Sequence, residues 1–212
     1  MKTELVVVTP PALELPLTVV KQYCRISNTN DDTVILPMLI QSARERVEQY
    51  LGRALFTQTL STYFEVIEKE FFLPRAPIQS VDAVNLIYLN NNTLLTAASD
   101  YYVMGSQDQY IILTATTYNL PRGFSPADDL SRFNLQVTYH AGYDSAWPWT
   151  SGGTPQASKI PMGICQAMLM MIYAAYEIRS DLLEASRQGT INIIEIPEGS
   201  RKLLDRYKIP QL

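Results

Sequence analysis

The chain has 212 residues, 47% of them hydrophobic and 18% charged, with a formal net charge of −4 at pH 7. That length suits one large domain, or a domain carrying a sizeable insertion. The acidic balance, with a pI near 5.1, argues against a dedicated nucleic-acid binder, whose affinity comes from Lys and Arg on phosphates.

The N-terminal stretch MKTELVVVTPPALEL reads as extended and proline-broken. Its run Leu5–Val8 is too short for a secretory leader. Pro16 opens a short helix over Leu17 to Cys24. SNTNDD, at 27–32, is a polar loop whose Asp31 and Asp32 are expected to cap the next helix. That helix is predicted from about Thr33 to Leu51. Leu36, Leu39, Ile40, Ala43, Val47, Tyr50 and Leu51 recur at spacings of three and four and form one stripe. Arg44 and Glu48 are expected to pair on the other side. Pro37 is expected to remove a hydrogen bond and bend the first turns. Gly52 supplies the left-handed C-terminal residue.

The period then changes. Thr57 to Val66 reads as a strand, followed by a short strand at Phe71, the corner LPRAP, and a strand over Val81 to Leu89. Asn90 to Asn92 is predicted as a hairpin turn, with the return strand over Thr93 to Thr96. Tyr101–Met104 and Tyr110–Leu113 form a second hairpin. Residues 114–133 read as a long loop. Leu135, Val137 and Tyr139 alternate with Gln136, Thr138 and His140, the pattern of a half-buried strand. After the linker WPWTSGGTPQASK, Pro161 opens a helix whose body, Ile164 to Tyr176, is apolar almost all round. Interrupted by Gln166, this run falls short of the roughly 18 apolar residues that span a bilayer, so no membrane segment is expected. QGTINIIEIP reads as extended, and Pro197 opens a last short helix. The fold class is therefore α+β: a helical frame (1–54 and 155–212, with extended arms) around a β-rich insertion (55–154).

Catalytic signatures are sparse. Cys24 and Cys165 lie in apolar helical runs and read as buried free thiols, which fits a reduced compartment. One His and two separated Cys do not make a metal site. No G-x-S-x-G elbow, dinucleotide fingerprint or phosphate loop occurs. No catalytic, cofactor-binding or metal-binding residues are assigned, and no cofactor is expected. His140 reads as solvated or hydrogen-bonded. Trp147 and Trp149 read as anchors that pin a loop to the domain or to a neighbour. A small hydrolase or carbohydrate-binding domain using these three residues is the alternative from another class. Low charge with 13 Tyr and 13 Pro hints at oligomeric contacts.

The order of the motifs carries more than any one of them. LIQSARERVEQYLGRALFTQTL is followed by FLPRAPIQSVDAV, SDYYV, VTYHAGYD, IPMGICQAMLMMIYAAYEIR and EIPEGSRKLLDRYKI. This series resembles the head-tail connector, or adaptor, proteins of long-tailed bacteriophages, over nearly the whole chain. The resemblance implies a structural protein of the virion neck, not an enzyme, assembled in the bacterial host cytoplasm. It implies a homo-oligomeric ring, a dodecamer, beneath the capsid portal. It implies contact with the portal and with the next neck or tail-completion protein. Genomic DNA would pass through the lumen without specific binding. Another neck or tail-completion protein is the nearest alternative.

Within that expectation, Arg75 in LPRAP bonds carbonyls or a carboxylate across a subunit contact. Ile191, Ile193, Ile194 and Ile196 form an extended apolar strip, and Leu203, Leu204 and Tyr207 one helical face. Together they read as an arm that gains its burial from a neighbour, as an added strand or as a helix in a groove, with folding back on its own frame as the alternative.

Overall fold

The computed structural model describes residues 3–11, 15–27, 33–65, 69–88, 91–105, 110–114, 133–143, 160–188 and 196–208. The chain divides into a β unit, Met1–Ala12 with Phe56–Tyr143, and a helical unit, Leu13–Leu55 with Asp144–Leu212. The mixed α+β class is as expected. Residues 1–54 are expected with the helices, but Thr3–Thr9 pair into a sheet of the β unit.

In the β unit, β1 (Thr3–Thr9), β2 (Gln58–Phe64), β8 (Phe133–Ala141), β4 (Ile78–Tyr88) and β5 (Asn91–Leu94) form one antiparallel sheet in that spatial order. β3 (Glu70–Phe72), β7 (Tyr110–Leu113) and β6 (Tyr101–Met104) form a second. The central strand β8 shows why alternation predicts a half-buried strand. Leu135, Val137, Tyr139 and Ala141 are buried, while Asn134, Gln136, Thr138 and His140 face the other side. Register places Leu60 and Phe64 of β2 beside Tyr139 and Leu135, and Val84 and Leu86 of β4 beside Val137 and Leu135. These residues fill one face. On the opposite face the Gln136 amide donates to Ser61 Oγ (3.1 Å) and Tyr63 Oη (2.7 Å). The predicted turn at Asn90–Asn92 shifts: Asn91 and Asn92 already pair with Tyr88 and Ile87.

The helical unit contains α1 (Leu17–Cys24), α2 (Ile35–Leu51), α3 (Met162–Gln188) and α4 (Glu198–Leu204), and α4 runs on into a 3-10 turn at Asp205–Tyr207. Leu36, Ile40, Ala43, Val47 and Leu51 of α2 are buried, as the stripe predicts. α3 packs on α2, α1 and α4. Pro37 needs no bend: α2 begins at Ile35, so Pro37 lies in the first turn, where backbone N–H groups have no helical partner anyway. The helix takes Val34 as its N-cap with no side-chain cap; Asp31 and Asp32 lie outside the described residues. Gly52 closes α2 at φ 68°.

Cys24 and Cys165 are buried and free. Burial pushes the Cys165 thiol up to about 12. Native protein at pH 8 is therefore expected to react with Ellman's reagent at Cys165 at least a hundredfold more slowly than the unfolded chain, because only the thiolate attacks. The stability share is present below the ordinary thiol pKa and falls as pH climbs from about 9 toward 12, since only the unfolded chain ionises there. Equal native and denatured labelling rates would contradict this burial.

Candidate assembly surfaces

The motif residues turn inward and hold the chain together. In α2, Arg44 and Glu48 do pair, Nη1 to Oε2 at 3.8 Å, but both are buried, not on the solvent side. Glu48 Oε1 accepts the Leu55 N–H at 2.9 Å, which fixes the chain just past the helix end. The Arg53 N–H donates to the Glu48 carbonyl, and its Nε donates to the Tyr207 carbonyl at 2.8 Å. The Tyr50 hydroxyl bonds Asp205, and Lys208 Nζ sits 4.7 Å over the Tyr50 ring.

These contacts overturn the expectation of a free C-terminal arm over 198–208. Leu204 is wholly buried in its own unit, Ser200 Oγ donates to the Ala167 carbonyl, and the Tyr207 ring lies over Gly163. Leu203 and Tyr207 are half-buried. Intrachain burial was available because α3 offers a small-residue face at Gly163 and Ala167. Deleting residues 197–212 is thus expected to lower the melting temperature by 10 °C or more, by removing the Leu204 side chain and three polar ties. An unchanged melting curve would restore the free arm. Ile196 is half-buried; Ile191, Ile193 and Ile194 lie outside the described residues, as do Trp147 and Trp149.

In the β unit, LPRAP and the strand end HAGY meet. The Tyr139 hydroxyl donates to the Pro74 carbonyl at 2.8 Å and lies 3.1 Å from Thr62 Oγ1. Burial holds this phenol far above the usual tyrosine range, so it stays a donor. The Gly142 N–H donates to the Pro77 carbonyl at 2.9 Å, and its carbonyl accepts from Gln79 Nε2 at 2.9 Å. Arg75 sits at φ 63° in this corner. It is half-buried, and its Nη1 is enclosed without a hydrogen-bond partner among the described residues. One end of the guanidinium therefore points into its own unit. Tyr139→Phe removes a buried donor and leaves the Pro74 carbonyl without it. The expected loss is about 1–3 kcal/mol of unfolding free energy in urea; a loss below a few tenths would show that the corner does not depend on this bond.

His140 lies on the polar sheet face, with Nδ1 3.1 Å from Thr59 Oγ1 and Nε2 3.0 Å from Asp82 Oδ2. The order Thr–His–Asp resembles a catalytic relay, but it lies across three paired strands. Their backbone N–H groups serve the ladders of β2, β8 and β4, so they make no oxyanion hole here. Among the described residues, no three metal-ligating side chains cluster, and no helix is long and apolar enough to cross a membrane. A recess between Leu39, Ala43, Met171 and Pro197 in the helical unit has room for about one water.

Two exposed apolar surfaces escape the sequence reading. Val6, Val7 and Val8 of β1 are 40, 52 and 56% exposed. On the small sheet, Phe72, Tyr110 and Met104 pair across one face, with Tyr102 two residues along, and Phe72 is 69% exposed. The signal was there: FFL, YYVM and YIIL are apolar at both alternate positions, so burying one face leaves an apolar face outside.

Two comparisons place the chain beside known proteins. Residues 15–119 match the family described as phage gp6-like head-tail connector protein. By fold, it is similar to a chain in the virion of a native gene transfer agent particle (17% identity, TM-score 0.67, 98% of this chain and 96% of that one). It is also similar to chains in the neck of the empty particle computed with C6 symmetry (17%, TM-score 0.68, 100% and 97%) and of the native particle computed with C12 symmetry (16%, TM-score 0.65, 100% and 97%). No curated protein matches. The matched span takes in both inward-turned motifs, the Arg44–Glu48–Gly52 helix end and the LPRAP corner, so it is over residues 15–119 that the chain is similar to the phage gp6-like head-tail connector family.

Proposed function

We propose that the protein is a structural adaptor of a virion neck, a ring of about twelve copies that docks beneath the capsid portal and joins it to the next neck or tail component. The observation that carries this reading is the match over the full length of the chain to a chain of a C12-symmetric neck, beside the family match. The role is one without catalysis. In support, the family motifs are engaged in the chain's own architecture: Glu48 caps a turn, and Gly142 and Tyr139 lock a corner. The exposed apolar surfaces of β1 and of the small sheet, with the half-exposed side of Arg75, are the contacts of assembly. Assembly takes place in the bacterial host cytoplasm before the neck is complete.

DNA passes through the lumen without being gripped. The β unit holds five of the 17 Lys and Arg but nine of the 21 Asp and Glu, and so carries the whole net charge of −4. Acidic surface repels phosphate within a Debye length of about 8 Å at physiological salt. The test is the mass of the purified 24.0 kDa chain alone and after mixing with the portal of its own particle. A discrete complex of about twelve copies per portal ring is expected. A monomer that ignores the portal, or tight and salt-sensitive DNA binding, would count against the reading.

A further inference from the structure

β1 is an edge strand. Its ladder with β2 uses one side, and its other side has no strand among the described residues. Six of its seven residues are exposed; Val6 and Val7 project to opposite faces of the sheet, and Val8 is the extra residue where the register shifts between Val7 and Thr9. The one charge in Thr3–Thr9 is Glu4, near the strand's start. The bulge at Val8 and the following Pro10 and Pro11 blunt the C-terminal end of this edge, but Thr3–Val7 remains an open, largely apolar stretch that can template another strand.

The occupant is written in the same sequence. Thr190–Ile196, TINIIEI, has seven residues, the length of β1, and is bounded by Gly189 and Pro197. Five of the seven are β-branched, the composition that favours strands. In an extended chain Ile191 and Ile193 project to one side, Ile194 and Ile196 to the other. It is therefore apolar on both faces, as β1 is, and its charge is again a single Glu.

We infer that Thr190–Ile196 of one copy adds as a strand to the free edge of β1 in the neighbouring copy. This rests on the ring reading. Each copy offers the one β1 edge and one such segment, so the contact is head-to-tail, and a head-to-tail contact that closes generates a ring in which every β1 edge is paired.

The test uses the full-length chain in two tagged versions, one carrying Ile193→Cys and the other Val6→Cys, Val7→Cys or Val8→Cys, to cover the possible registers. Native Cys24 and Cys165 are buried and stay out of the reaction. Under mild oxidation, a disulfide between the two versions is expected for at least one pairing, and the corresponding double variant is expected to give a ladder of covalent multimers. A double variant that closes only within single chains would overturn the inference, as would the absence of any cross-link across all three pairings. Masses of the untreated protein separate the two readings. Rings, alone or on the portal, without the cross-link remove this contact and leave the adaptor ring standing; monomers that also fail to form a ring on the portal remove both.

Discussion

Gly142→Ala is expected to abolish cooperative folding of the β unit. Gly142 adopts φ 127°, a region that L side chains rarely enter. An added Cβ would lie 2.4 Å from both the carbonyl carbon and oxygen of Phe56, and 2.7 Å from the Thr57 nitrogen. Those atoms are backbone just before β2, so no side chain can swing aside. The same residue donates to Pro77 and accepts from Gln79, so moving it unties the LPRAP corner. Strain and lost bonds together place the cost above about 4 kcal/mol, beyond ordinary substitutions. Gly52→Ala is the control. It also has positive φ, but nothing lies within 4 Å of its Cβ, so about 1–2 kcal/mol is expected. Circular dichroism melts should show loss of the transition for Gly142→Ala and a shift of a few degrees for Gly52→Ala. Similar shifts for the two would mean that the close approach to Phe56 does not constrain the fold.

Met168→Asp is expected to be nearly as damaging. Met168 is 1% exposed on α3, among Ile164, Cys165, Ala167, Met171 and Ile172, all buried. A carboxylate among these apolar side chains loses both its hydration and the packing of the thioether, a cost of several kcal/mol. Met162→Asp, on the same helix but 48% exposed, is expected to cost under about 1 kcal/mol. Urea titrations of the two variants should therefore differ by most of the stability of the helical unit. A soluble Met168→Asp protein with an unchanged midpoint would mean that α3 does not bury this face.

Much of the fold was legible because local chemistry decides it. The bounds of α1 follow from Pro16 and the apolar run, the end of α2 from Gly52, and the start of α4 from Pro197. The buried face of β8 follows from strict alternation. What pattern reading missed was long-range or polar. Arg44 and Glu48 read as a solvated pair, since charge normally marks the outside; they are buried because Glu48 has a backbone N–H to satisfy seven residues on. The N-terminal strand read as an arm of the frame because nothing local announces its pairing with β2, more than 50 residues away. The inward fold of Leu204 was hidden for the same reason: an apolar helical face looks the same whether its partner is another subunit or Gly163 and Ala167 of its own chain. Gly142 stands in the motif HAGY, but only the backbone of Phe56 explains why a glycine is needed there.

The most direct test of the adaptor reading is electron microscopy of the particle that contains this chain, averaged over the neck. The expected result is a ring of about twelve copies of this fold, seated against the portal on one side and the next neck component on the other, around an open channel. Density for the chain elsewhere in the particle, or a neck complete without it, would contradict the account.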